Sequence, residues 1–199
     1  MTDTALVVGE ALIDIVQHEG QALGEHVGGS PLNVAVGLAL LGRRVRFLTW
    51  IGNDRRGRRI ADYLHDSGVD LDEGSVGATR TATARAELDE KGSATYQFDI
   101  EWQLSPNPGL MAPLVLHTGS IATALEPGCD AVAELIDALW DLGLLGGHRR
   151  GQLRVISSDV LREVLKVAAL SAALTVARPG AALPDRATRD RAAHRLTGD

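Results

Sequence analysis

At 199 residues the chain has room for one domain with a sizeable core, or one domain with a small appendage. Hydrophobic residues make up 45% and charged residues 23%, an ordinary soluble globular composition, and a formal net charge of -6 argues against a nucleic-acid partner, which needs a basic face. Cys129 is the single cysteine, so an intrachain disulfide and a cysteine metal cluster are excluded. The first nine residues hold no basic region followed by a long apolar stretch, and the longest apolar run, 164–177, is short and contains Lys166. The expectation is a chain with no membrane partner and a cytoplasmic address.

Residues 5–8 form an apolar run ending in Gly9, and 45–51 form a second ending in Gly52. Both read as buried strands of a parallel sheet, where alternation is weak because both faces are covered. Between them, Ser30 suits an N-cap, Pro31 the first helical position and Gly42 a C-terminal stop. That helix is apolar nearly all round and is expected to be buried. Together these pieces make a βαβ unit. Residues 14–26 are mixed and can supply short strands, and Asn53-Asp54 opens a helix that stops at Gly68. Arg55, Arg56, Arg58 and Arg59 lie on that helix among acidic neighbours and read as a solvated face.

Residues 81–88 and 94–100 flank Asp89-Glu90-Lys91-Gly92 and read as a hairpin. Ala84, Ala86 and Leu88, with Tyr96, Phe98 and Ile100, give it one apolar face, which needs a ligand, the main domain or another subunit as cover. Residues 114–116 are a further strand leading into His117-Thr118-Gly119-Ser120, and 128–142 a helix. Residues 143–151 form a glycine-rich basic connection; Ser158 caps a last long helix reaching Ala177 before Pro179-Gly180, and 184–199 is an exposed tail.

Gly28-Gly29 before a helix start reads either as a tight turn or as a place where backbone meets a ligand. Asn33, one turn inside an apolar helix, has to find partners or reach a cavity. Asp14, between Ile13 and Ile15, is either an edge-strand surface carboxylate or a ligand group.

The order of several motifs adds to this reading: Gly9-Glu10-Ala11-Leu12-Ile13-Asp14, then Gly28-Gly29-Ser30-Pro31-Leu32-Asn33-Val34-Ala35. Gly42-Arg43-Arg44-Val45, Ile51-Gly52-Asn53-Asp54-Arg55-Arg56-Gly57 and Ser67-Gly68-Val69-Asp70 follow, and Gly92-Ser93-Ala94-Thr95-Tyr96-Gln97-Phe98 closes the set. From residue 5 to about 136 this order resembles the PfkB (ribokinase-like) carbohydrate kinases of fructokinase-like type. The resemblance implies an α/β fold: a ribokinase-like, Rossmann-type parallel sheet between helices, with a small β-sheet lid from residues 12–27 and 80–101 inside one domain, 1–199. It further implies ATP- and Mg²⁺-dependent phosphorylation of a sugar hydroxyl. Asp14 and Asn33 would bond sugar hydroxyls, Gly28 and Gly29 would let the sugar lie against backbone, and Phe98 and Arg85 would approach from the lid.

The family's second signature, Gly-Ala-Gly-Asp, whose amides hold the transferring phosphate and whose Asp activates the hydroxyl, does not occur in the chain. Its Asn-x-x-Glu motif is missing as well. Residues 130–136 resemble one family helix and 138–145 the end of a later one, so the core is truncated by an internal deletion at 136–139. On the order of a hundred residues are lost there, and helix joins helix, so one continuous helix is predicted. His148 is the one substitute base in view and is read as part of an exposed loop, while Asp141 and Asp159 are read as helix surface or cap residues. Three functions compete: a catalytically impaired chain with a residual sugar-binding half-site, an active carbohydrate kinase completed by oligomerisation, and a non-enzymatic module that forms a homodimer through the lid.

Overall fold

The computed structural model describes residues 3–19, 21–88, 94–105, 111–119, 121–144 and 185–197. Strands β1 (Thr4–Val8), β4 (Arg44–Leu48), β6 (Asp70–Leu71) and β10 (Val115–Thr118) form an all-parallel sheet in the order β10-β1-β4-β6. Along β1 the side chains alternate between two cores, as the pleat requires. Ala5 and Val7 pack with Val45, Phe47, Leu32, Ala35, Val36, Ile60 and Leu64 on one face. Leu6 and Val8 pack with Leu48, Trp102, Val132, Leu135 and Leu139 on the other. Burial on both faces is why β1 reads as an unbroken apolar run.

Helix α1 (Ser30–Leu40) returns the chain from the end of β3 (Gln21–Gly28) to β4. Its N-cap is Gly29, one residue earlier than the sequence suggests, and Ser30 and Pro31 lie inside the first turn without a side-chain cap bond. The shift follows from Gly29, whose φ of 117° is a conformation side chains rarely adopt. Gly42 stops the helix with φ 78°. Only one stripe of α1 (Pro31, Leu32, Ala35, Val36) is buried, while Ser30 and Asn33 are exposed, so the helix is covered on one side rather than all round.

The apolar run at 45–51 is not one strand. The Thr49 amide donates to the Ser75 hydroxyl at 3.1 Å, and Ile51–Gly52 (β5) turns away to pair in parallel with Val76–Ala78 (β7). Helix α2 (Arg55–Asp66) is capped by Asp54, which accepts from the Gly57 amide at 2.8 Å, and ends before Gly68. Its buried face is Ile60 and Leu64, an i, i+4 pair. Arg55, Arg58 and Arg59 are exposed, as expected of a solvated face, and Arg56 is half-buried; Arg56 pairs with Glu25 and Arg59 donates to the Glu25 carbonyl at 2.6 Å. The solvated face thus also reaches a second sheet through Glu25.

That second sheet is β3-β2-β8-β9, built from β2 (Leu12–His18), β3, β8 (Thr83–Leu88) and β9 (Ala94–Asp99). The mixed stretch 14–26 thus forms two full strands rather than short ones, and β8–β9 is the predicted antiparallel hairpin. Helix α3 (Gly128–Asp141) runs uninterrupted through 136–139, as the helix-to-helix join predicts. The tail, expected as exposed chain, holds helix α4 (Arg186–Thr197), with Asp185 accepting from the Thr188 amide at 2.7 Å. The tetrad 89–92, the connection after Leu144 with His148, and the helix from Ser158 with Asp159 lie outside the described residues. No described helix is long and apolar enough to cross a membrane.

Among the described strands β10 is an edge, flanked by Leu114 at 61% and Val115 at 49% exposure. Leu139, at the join, is fully buried. Leu139→Ala is expected to lower the free energy of unfolding by about 2–5 kcal/mol in a urea titration. A loss of less than about 0.5 kcal/mol, the scale of a surface change, would mean that the far half of α3 does not close this core.

Candidate functional site

Strand register decides which side chains of the second sheet share a face. Asp14 pairs with His26 on β3 and with Ala84 on β8, and Ala84 pairs with Phe98 on β9. The next row is Ala86 and Tyr96 beside Val16. The result is one face with a carboxylate at its centre and two aromatics at its end. Tyr96 and Phe98 stack with ring centroids 6.1 Å apart and are 60% and 56% exposed.

This face looks across a cavity of about 570 Å³ at the start of α1. Glu10, Gly29, Ser30, Asn33 and Ile121 line the far side, and Leu12, Asp14, Ala84, Tyr96 and Phe98 the sheet side. The position follows from the fold: the cavity sits past the carboxyl ends of β1 and β10, where open parallel sheets leave a crevice for ligands. Gly28 and Gly29 make the approach possible. A Cβ on Gly28 would collide with the Asp14 carboxylate, and one on Gly29 would lie 2.6 Å from the Glu10 carbonyl oxygen.

Two carboxyl groups line this space. Burial pushes the Asp14 carboxyl above its ordinary range, and the charge of His26 across the strand pair pulls it partly back. Glu10 is 3% exposed. Burial raises its pKa most strongly, against the lowering effect of the backbone amides of Glu10 itself, Ala122, Ser30 and Ile121. Asp54, behind the lid, shows the opposite balance. Burial raises it, but hydrogen bonds from the Gly57 amide and from the Thr81 amide and hydroxyl, each at 2.8 Å, leave it lowered.

The structure gathers Asp14, Gly29, Asn33 and Phe98 at one cavity, with Gly28 directly behind the Asp14 carboxylate. Arg85 is not among them. It pairs with Ile15 and Gln97, one residue out of phase with Asp14 and Phe98, so it projects from the opposite face of the lid, near Asp99. Glu10, Ser30, Tyr96 and Ile121 line the cavity without having been singled out from sequence, and His26 shares the Asp14 row. Tyr96 was recoverable from the alternation that placed Phe98, and Glu10 from the oddity of a charge at the end of a buried strand. Ile121 carries no local signal. For metal, no group of three or more His, Cys, Asp or Glu among the described residues could hold an ion. Of the cavity's two carboxyls, Glu10 faces backbone amides, which leaves Asp14 as the one turned to the cavity's own chemistry.

Residues 2–105 match the model of the pfkB family carbohydrate kinases. A fructokinase from Klebsiella pneumoniae is 32% identical over 140 residues, which cover 67% of this chain and 46% of that protein. The chain thus spans about half the length of the curated relatives it matches. Among solved structures, fructokinase from Vibrio cholerae O395 in apo form is 27% identical with TM-score 0.61, over 84% of this chain and 61% of that one. The same enzyme's fructose, ADP and calcium ion bound form is 27% identical with TM-score 0.54, over 70% of this chain and 47% of that one.

The direction of the Asp14 shift has a consequence for stability. A carboxyl whose folded pKa lies above its ordinary 3.8 contributes stability that is full below that value and is lost as pH rises through the folded pKa. Asp14→Asn removes this loss. Urea titrations across about pH 4 to pH 7 are expected to show the variant gaining on the wild type as pH rises. A variant that instead loses ground toward neutrality would make the charged carboxylate a net stabiliser.

Proposed function

The chain belongs to the pfkB family of carbohydrate kinases, and on that footing we propose that it binds a sugar in the Asp14–Asn33 cavity without transferring phosphate to it. The observation that carries the reading is that Asp14 of β2 and Asn33 of α1 line one cavity together with the stacked Tyr96 and Phe98. Sugar hydroxyls need acceptors and donors from different directions. A carboxylate supplies acceptors, and a carboxamide supplies both. Gly29 lets the ring approach backbone, and Phe98 and Tyr96 offer an apolar surface to the ring carbons. Arg85 has no part in this reading, because it stands on the far face of the lid. Fructose, the sugar in the solved Vibrio cholerae relative, is the first to test.

Phosphoryl transfer depends on positioning and on electrostatic stabilisation of the moving phosphate. ATP and Mg²⁺ are the co-substrate and metal that the family's chemistry supplies. In this chain no Gly-Ala-Gly-Asp stretch offers an anion hole or a base. Loss of one oxyanion donor costs about two to three orders of magnitude in rate, and here the base goes with the donors. Calorimetric titration with fructose is expected to give weak, saturable binding that Asn33→Ala reduces about tenfold, the scale of one lost hydrogen bond. A coupled assay with ATP and Mg²⁺ is expected to give no turnover. Clear phosphorylation, abolished by Asp14→Ala, would establish instead an active carbohydrate kinase completed by a second chain.

A second reading has its own observation: Tyr96 and Phe98 leave more than half of their surface uncovered. As a lid-to-lid clasp they would close a homodimer. Sedimentation velocity is then expected to show a dimer that Phe98→Asp dissociates. A monomeric wild type removes this reading.

A further inference from the structure

We infer that Glu10 is a positioning residue for this cavity, joining the start of α1 to the turn after β10 from beneath. Its side chain is buried at the carboxyl end of β1, where the chain leaves the sheet for the lid. One carboxylate oxygen accepts from the Ala122 amide at 3.2 Å, and the amides of Ser30 and Ile121 bear on the same group. Ser30 and Ile121 are themselves cavity-lining residues on separate elements.

The need for such a group is visible in α1. The helix begins with no side-chain cap and no acidic residue in its first turn. Its first amides are donors without intrahelical partners, and Pro31 removes only one of them. A carboxylate delivered from the strand below supplies the acceptor and sits favourably at the positive end of the helix. The backbone of Glu10 acts at the same place, since its carbonyl lies under Gly29. On the far side, the Trp102 indole donates to the Ala122 carbonyl at 3.1 Å. The Ala122 residue is therefore held through its amide by Glu10 and through its carbonyl by Trp102, which fixes Ile121 at the cavity wall.

The inference rests on the sugar-site reading only in its binding arm, so the two are tested separately. Amide hydrogen exchange is followed by NMR in the wild type, Glu10→Ala, Glu10→Gln and Asp14→Asn. In Glu10→Ala the amides of Ser30, Ile121 and Ala122 are expected to exchange about tenfold faster, with Phe47 in β4 unchanged. Glu10→Gln, which keeps one acceptor oxygen, is expected to lie between. Asp14→Asn is expected to leave these three amides as in the wild type while weakening fructose binding, whereas Glu10→Ala weakens binding through the wall alone. Unchanged exchange at the three amides overturns the inference. Uniform acceleration through the chain also overturns it, because the residue is then a general stabiliser. Should Glu10→Ala fail to fold, Glu10→Gln decides on the same comparison. If the wild type binds no fructose, the sugar-site reading falls while the exchange comparison still decides the role of Glu10.

Discussion

Three backbone segments meet at the end of β1, and the pocket side of the molecule depends on how closely they approach. Gly9 leaves no room for a side chain between Pro31 of α1 and the Gly119 carbonyl. Gly29 lies on the Glu10 carbonyl, and Gly28 lies on the Asp14 carboxylate. With side chains at these points, α1 could not sit over the end of the sheet, and Asn33 would not face Asp14. The close approach is therefore a precondition of the cavity rather than an ornament of a turn.

The carboxyl groups at that junction are held against the solvation preference of their charge. Burial raises both Glu10 and Asp14, whereas Asp54 outside the cavity is lowered by four donors, the Gly57, Thr81 and Arg56 amides and the Thr81 hydroxyl. The contrast lies in the number of donors each carboxyl meets. A capping aspartate is stabilised by what it already touches. The cavity aspartate Asp14 has no such set of donors acting on it, and burial leaves its carboxyl raised. The lid is fastened to the domain elsewhere, by Glu25 with Arg56 and by Asp54 with Thr81, so its aromatic end is free to face the cavity.

The far side of the sheet is covered mainly by one helix among the described residues. Its core closes on Trp102 and on the buried face of α3, whose Leu139 completes the cluster. Gly128 opens α3 directly against the Trp102 ring, where a Cβ would collide. The edge at β10 shows where that covering ends.

Much of this was legible in the sequence because it is local. Apolar runs located β1 and β10, Asp54 and Gly68 bounded α2, and alternation at Ala84, Ala86, Tyr96 and Phe98 gave the hairpin its apolar face. The ordered motifs from Gly9 to Phe98 carried the family and with it the fold, along with Asp14, Gly29 and Asn33. What failed did so where a distant partner decides. The run at 45–51 broke because Ser75 and β7 compete for its backbone, and Arg56 and Arg59 reach Glu25 on β3 from the face of α2. The resemblance puts Arg85 at the cavity and the register puts it on the opposite face, because register is invisible in a single strand and a step of one residue reverses the face. Glu10 became a structural carboxylate only once α1 and the 121–122 turn converged on it. Sequence by itself determined which segments form elements and which family they follow, since periodicity, caps and turns act over a few residues. The tertiary structure alone decided which face each side chain serves and which charge is buried, since both depend on pairings between segments far apart in the chain.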